Sequence, residues 1–133
     1  MSECTLQPKA LVAEDDRALA DIIRFALTRG GYDVSVFHDG ERALQVGQAE
    51  AFDVVASDYQ MPGLNGEQLL AGLRREGASR DALMILCSAK AYELDSERLR
   101  EELDLAAVFY KPFSLHELLT LIRSRQPASP PRR

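Results

Sequence analysis

Apolar runs of strand length alternate along this chain with stretches in which apolar residues recur at helical spacing. Ala10-Leu11-Val12-Ala13 is a continuous apolar run, Tyr32 to Phe37 alternates with period two, Phe52 to Ala56 and Ala82 to Cys87 are again continuous, and Ala106 to Tyr110 comes last. Continuous short runs suit strands buried on both faces. Between them, Leu19, Ile22, Ile23, Ala26 and Leu27 share one helical face, closing at Gly30-Gly31. Ala43, Leu44 and Gly47 mark a weaker helix with Asp39 as its N-cap, and Leu69, Leu70 and Leu73 a third that ends near Gly77. Residues 92–103 form a mostly polar helix broken by Leu94, Leu99 and Leu103. Ser114 with Glu117 reads as a capping box before Leu115, Leu118, Leu119 and Ile122.

Five strand–helix alternations predict an α/β fold, a parallel sheet covered on both faces. Right-handed crossovers leave few topologies. The flavodoxin-like order 2-1-3-4-5, a (βα)5 three-layer sandwich, leads among them and reverses direction between the first and third strands. The predicted domain covers residues 9–126, after a tail over 1–8 and before a Pro-rich, basic segment at 127–133 that reads as a tail or the start of a linker.

In such a sheet, ligands bind at the carboxyl ends of the strands. Four runs end there on charged or reactive side chains: Glu14-Asp15, Asp58, Ser88 and Lys111-Pro112. A fifth ends quietly near His38. Each has a simpler explanation alone. Acids after a strand cap the next helix, which suffices for Asp16; Asp before a Pro-Gly loop is a turn residue; Ser88 could close a strand end, and Lys111 be solvated. Together they form a set suited to phosphoryl chemistry. Carboxylates offer the hard oxygens Mg²⁺ takes, Asp58 a nucleophile toward phosphorus, and Ser88 and Lys111 a hydroxyl and a cation for phosphate oxygens. Ala89 is small enough to leave a phosphoryl group accessible.

Composition narrows the setting. At 133 residues the chain suits one domain with a sizeable core. Its net charge of −5 argues against direct contact with nucleic acid, which needs a basic face. No apolar run approaches a membrane span and no signal pattern opens the chain. Cys4 and Cys87 form neither a metal pattern nor a disulfide framework, Cys87 reading as a small core residue, and cytoplasm is the expected location.

Glu14-Asp15-Asp16, Ser57-Asp58-Tyr59-Gln60-Met61-Pro62-Gly63-Leu64-Asn65-Gly66, Ser88-Ala89 and Lys111-Pro112-Phe113 resemble the signature of two-component response-regulator receiver domains, from about Lys9 to Ser124. That resemblance implies that Asp58 accepts a phosphoryl group from a histidine kinase or a histidine phosphotransfer protein. Asp15, Asp58 and the Gln60 carbonyl oxygen would bind Mg²⁺ directly, and Glu14 mainly through water. Ser88 and Lys111 would contact the phosphoryl oxygens, and the Lys111-Pro112 bond would be cis. Output would pass to an effector protein or domain through the fourth helix, last strand and last helix.

One position departs from the pattern. Many receivers carry Tyr or Phe three residues before the site lysine; here it is Val108, which cannot swing a ring, so the expected change runs through residues 88–92 and the polar helix. Successive side chains alternate faces in a strand, so Phe109 points away from Val108. Other classes fit less well. Haloacid-dehalogenase-type phosphatases resemble a pattern with a second Asp two positions on, where Gln60 stands. Glu14-Asp15-Asp16 would repel the phosphate of FMN. A receiver working by contact alone would not need the full set of acids, Ser88 and Lys111.

Overall fold

The computed structural model describes residues 7–89 and 95–125. Five strands and five helices alternate: β1 (Lys9–Ala13), α1 (Arg17–Arg29), β2 (Asp33–Phe37), α2 (Gly40–Ala49), β3 (Val54–Asp58), α3 (Gly66–Arg75), β4 (Leu83–Ser88), α4 (Ser96–Leu103), β5 (Ala107–Tyr110) and α5 (Leu115–Arg125). The strands form one sheet in the order β2-β1-β3-β4-β5, parallel throughout, as the alternation predicts. β1 pairs on one side with β2 and on the other with β3, which is the switch point where ligands collect.

Two apolar clusters cover the two faces. Leu11, Val55, Met84 and Leu86 pack with Leu69, Leu70, Leu73, Leu99 and Leu103 on one side. Val12, Val54, Ile85 and Cys87 pack with Ile23, Leu27, Leu118 and Ile122 on the other. Strand residues thus alternate between clusters, which is why the central strands are continuously apolar. Val108 and Phe109 follow the same rule, Val108 lying against the first cluster and Phe109 against the second.

Local differences from the sequence reading have local causes. β3 begins at Val54 rather than Phe52: the Phe52 amide donates to Ser79 Oγ at 3.0 Å instead of to a neighbouring strand. The buried face of α1 is Ala20, Ile23 and Leu27, while Ile22 is half exposed; Ile22 stands about 100° around the helix from Ile23. Residues 92–94 of the expected polar helix lie outside the described residues; α4 begins at Ser96, capped by Asp95, whose side chain accepts from the Arg98 amide at 3.1 Å, and it buries Leu99 and Leu103. Ser114 accepts from the Glu117 amide at 3.2 Å, one arm of the predicted box. The full reciprocal box stands at α3, where Asn65 Oδ1 accepts from the Gln68 amide at 2.8 Å and Gln68 Oε1 from the Asn65 amide at 2.9 Å.

Candidate functional site

The strand register delivers the site. Ala13 lies beside Phe37 and Ser57, Asp58 beside Cys87, and Ser88 beside Tyr110. The residues that end or follow β1, β3, β4 and β5 therefore emerge at one edge. Asp58 and Ser88 are the last residues of their strands, and Lys111 follows β5 directly, its amide donating to the Ser88 carbonyl at 2.8 Å. The Lys111-Pro112 peptide bond is cis.

Asp58 leads into a tightly folded loop. The Tyr59 amide donates to the Cys87 carbonyl and the Gly66 amide to the Tyr59 carbonyl, each at 2.7 Å. This folds residues 59–66 back on the strand. A side chain at Gly66 would run into the Asp58 carbonyl and the Leu86 side chain, so the close approach needs glycine there. The capping box of α3 then fixes the far end of the loop.

Three carboxylates meet at the edge. Oxygens of Glu14, Asp15 and Asp58 all lie within 4.8 Å of one another. Glu14 is 2% exposed and Asp58 6%, whereas Asp15 is exposed. Lys111 Nζ stands 3.1 Å from Asp58 Oδ1, 3.1 Å from Glu14 Oε1 and 3.3 Å from Glu14 Oε2. The Asp16 amide also donates to Glu14 Oε2 at 3.2 Å. Asp16 itself caps α1, accepting from the amides of Ala18 and Leu19 at 3.1 and 3.3 Å.

Burial pushes the Asp58 carboxyl above the usual carboxylate range despite the hydrogen bond and charge of Lys111. Glu14 is raised by burial and then by the charge of Asp58. Burial alone would lower Lys111; its bond to Asp58 and the two acids' charges outweigh that and raise it. The Cys87 thiol, pushed up to about 12 by burial, is an uncharged core group.

One ammonium does not balance three carboxylates. At such separations two carboxylates repel by roughly 3–4 kcal/mol at an effective dielectric constant of about 20. The donor set is hard oxygen, partly buried and open to solvent at Asp15, which fits a divalent cation such as Mg²⁺ that keeps several waters. Softer metals are not favoured, because the cluster contains neither thiolate nor imidazole.

Of the predicted site residues, the structure brings Glu14, Asp15, Asp58 and Lys111 into one cluster. Ser88 is buried at the adjacent strand end, and Gln60 is exposed in the loop two residues beyond Asp58. Ala89 is exposed beside Ser88. His38 was not assigned a role by the sequence, yet its Nδ1 lies 3.0 Å from the Glu14 carbonyl oxygen. A histidine just past a strand that ends beside the acid pair was the available signal.

A family model described as "Response regulator receiver domain" matches residues 10–123. Response regulator protein FleR of Pseudomonas aeruginosa is 36% identical over 114 residues, which are 86% of this chain and 24% of that protein, so the chain spans about a quarter of its length. The receiver domain of the Francisella response regulator 1452 is 32% identical with a TM-score of 0.72, over 90% of this chain and 99% of that one. The receiver domain of the sensor histidine kinase PA1611 from Pseudomonas aeruginosa, whose structure carries a magnesium ion in its active-site cleft, shares the fold with a TM-score of 0.78 at 23% identity, over 90% of this chain and 97% of that one. Because the family match opens in β1 and closes in α5, it takes in every element that delivers a side chain to the acidic edge, and the chain belongs to the response-regulator receiver domains of two-component signalling.

Proposed function

We propose that Asp58 is the phosphoacceptor of this receiver and that Asp15, Asp58 and the Gln60 carbonyl oxygen hold Mg²⁺, with Glu14 reaching the ion through water. Receiver domains accept a phosphoryl group on an aspartate and bind Mg²⁺ at an acidic pocket, and they signal rather than turn over a metabolite. The observation that carries the assignment to Asp58 is its carboxylate, nearly buried, bonded to Lys111 and grouped with two further acids at the carboxyl edge.

In the proposed transfer, a carboxylate oxygen of Asp58 attacks the phosphorus of a phosphohistidine. The P–N bond breaks, an O–P bond forms, and the imidazole leaves with the electron pair and takes a proton from water. When bound, the cation neutralises charge on the phosphoryl oxygens, so positioning and electrostatics do most of the work. Lys111 moves its ammonium from the carboxylate to a phosphoryl oxygen, and the Ser88 hydroxyl donates to another. Exposed Ala89 leaves the phosphorus open to water, so the acyl phosphate hydrolyses to Asp58 and inorganic phosphate, and the domain assists both its own phosphorylation and its own dephosphorylation.

The phosphoryl donor is a histidine kinase or histidine phosphotransfer protein, and the receiver unit spans residues 9–126. A cytoplasmic setting suits such a relay; among the described residues no helix is long and apolar enough to cross a membrane. Output passes to an effector protein or domain. Val108 packs against the cluster that α4 joins through Leu99 and Leu103, and the change is carried by the Ser88 strand end and by α4. Hydrogen exchange with a beryllofluoride phosphoryl mimic should show altered protection at Ser88–Ala89 and in α4; changes confined to Val108–Tyr110 would defeat that route.

Intact-mass spectrometry after incubation with acetyl phosphate and Mg²⁺ tests the chemistry. One added phosphoryl group is expected, lost in Asp58→Asn and lost when the metal is chelated. Unchanged labelling of Asp58→Asn would place the acceptor elsewhere.

A further inference from the structure

The sheet does not end cleanly beside the acid pair. β1 and β2 pair from Lys9–Asp33 to Ala13–Phe37, and the Glu14 amide continues the ladder by donating to the Phe37 carbonyl at 3.0 Å. In a continued parallel ladder the Glu14 carbonyl would next accept from the backbone amide of Asp39. The chain has already turned there, because Asp39 is the N-cap of α2, its side chain accepting from the Arg42 amide at 2.8 Å. The His38 side chain takes the place of the missing amide, with Nδ1 3.0 Å from the Glu14 oxygen. A carbonyl oxygen only accepts, so Nδ1 carries the proton.

That bond acts on more than Glu14. The carbonyl of Glu14 and the amide of Asp15 share one rigid peptide plane. The plane's orientation sets where the Asp15 backbone stands and which directions its carboxylate can take. Glu14 is otherwise held through its carboxylate by Lys111 and the Asp16 amide. Asp15 is the exposed acid of the three, so its placement depends more on the backbone beneath it.

We propose that His38 is a positioning residue for the cation site: through Nδ1 it fixes the Glu14–Asp15 peptide plane and thereby the Asp15 carboxylate. The inference rests on the reading of Asp15 and Asp58 as cation ligands. Groups that orient metal ligands from behind typically change metal affinity by 10–100-fold when removed, and His38 acts here on the backbone that carries the ligand.

The test is Mg²⁺ binding by titration calorimetry on the unphosphorylated full chain, with folding of each variant checked by circular dichroism. His38→Asn keeps an N–H donor near the position of Nδ1, whereas His38→Phe keeps the ring and loses the donor. We expect His38→Phe and His38→Ala to weaken Mg²⁺ binding roughly tenfold and His38→Asn to stay within about twofold of the wild type. In an Asp15→Asn background the His38→Phe effect should shrink, because the two residues act on one ligand. If His38→Phe binds as the wild type does, or weakens binding as much in the Asp15→Asn background as in the wild type, His38 is a packing residue only and the inference fails. If His38→Ala does not fold, the Phe and Asn pair still decides. Failure of the wild type to bind Mg²⁺ would instead overturn the reading of the acidic edge, and this inference with it.

Discussion

The two ends of the sheet use polar side chains in opposite ways. At the amino end, Arg74 reaches out of α3 and donates to four backbone carbonyls: Leu103 and Asp104 at 2.7 Å, Arg80 at 2.8 Å and Ala82 at 2.9 Å. Ser79 Oγ donates to the Glu50 carbonyl at 2.7 Å and accepts from the Phe52 amide at 3.0 Å. These contacts tie the end of α4, the start of β4 and the approach to β3 together. At the carboxyl end, three carboxylates face each other and one lysine pairs with two of them, Glu14 and Asp58. One end satisfies its polar groups with protein; the other leaves them poised for a ligand. Stability and function should therefore separate when the two ends are cut individually.

The largest separation should appear in phosphoryl labelling. Asp58→Asn is expected to abolish it, since it removes the nucleophile, whereas Arg74→Met should leave the initial rate within about twofold because it touches no group near the reacting oxygen. Severe loss of labelling in folded Arg74→Met would show that the two ends are mechanically coupled.

Stability should show the reverse. Arg74→Met leaves four carbonyls without their charged donor, and the loss should be about 2–4 kcal/mol by urea denaturation. A cost under about 0.5 kcal/mol, the scale of an ordinary surface substitution, would mean that water replaces the clamp.

Two neighbouring acids sharpen the contrast within the carboxyl end itself. Asp16→Asn keeps a capping oxygen for the amides of Ala18 and Leu19, so it should change stability by no more than about 1 kcal/mol and Mg²⁺ affinity little. Asp15→Asn should leave stability nearly unchanged and weaken Mg²⁺ binding at least tenfold, in the range expected when a site loses one of its anchoring groups. Equal effects on Mg²⁺ affinity would mean that the register of the acid pair is misassigned.

How much of this was legible in the sequence differs by the kind of interaction. The sheet order and the strand ends were readable because continuous apolar runs have few structural meanings, and each useful run stopped on a side chain with its own chemistry. Arg74 and His38 were not readable. Their partners are backbone carbonyls of Leu103, Asp104, Arg80, Ala82 and Glu14, and a carbonyl is present at every residue, so nothing in the pattern marks it as an acceptor. The Asn65–Gln68 box was hidden differently, inside a segment whose Pro-Gly and Asn-Gly pairs read as turn. Ile22 was placed on the wrong side because helical spacing in α1 defines a stripe wider than the face the sheet covers.

The smallest effect is the most diagnostic of how the acidic end is built. Asp58 and Glu14 both titrate above their ordinary values of 3.8 and 4.5, burial being the main cause in each. A carboxyl whose folded-state pKa is raised favours folding when protonated. That contribution is fully present below the unfolded value and is lost as pH rises through the raised folded value. The amide introduced by Asp58→Asn stays uncharged throughout, and the substitution also removes the charge that helps raise Glu14. Lys111 does not interfere in this window, because its bond to Asp58 and the charges of the two acids raise its already high pKa, and Glu14 also stands 3.1 Å from its ammonium. Metal-free Asp58→Asn should therefore be more stable than the wild type at pH 7, with the gap closing as pH falls toward 3.8. Mg²⁺ should stabilise the wild type by RT ln(1 + [Mg²⁺]/Kd) and the variant, which binds it more weakly, by less, narrowing the gap again. Chemical denaturation at pH 4 and pH 7, with chelator and with excess Mg²⁺, reads all of these differences. A variant less stable than the wild type at neutral pH without metal would show that the Lys111–Asp58 pair outweighs burial and repulsion, and the acidic end would then be a structural ion pair rather than a site held open for a cation.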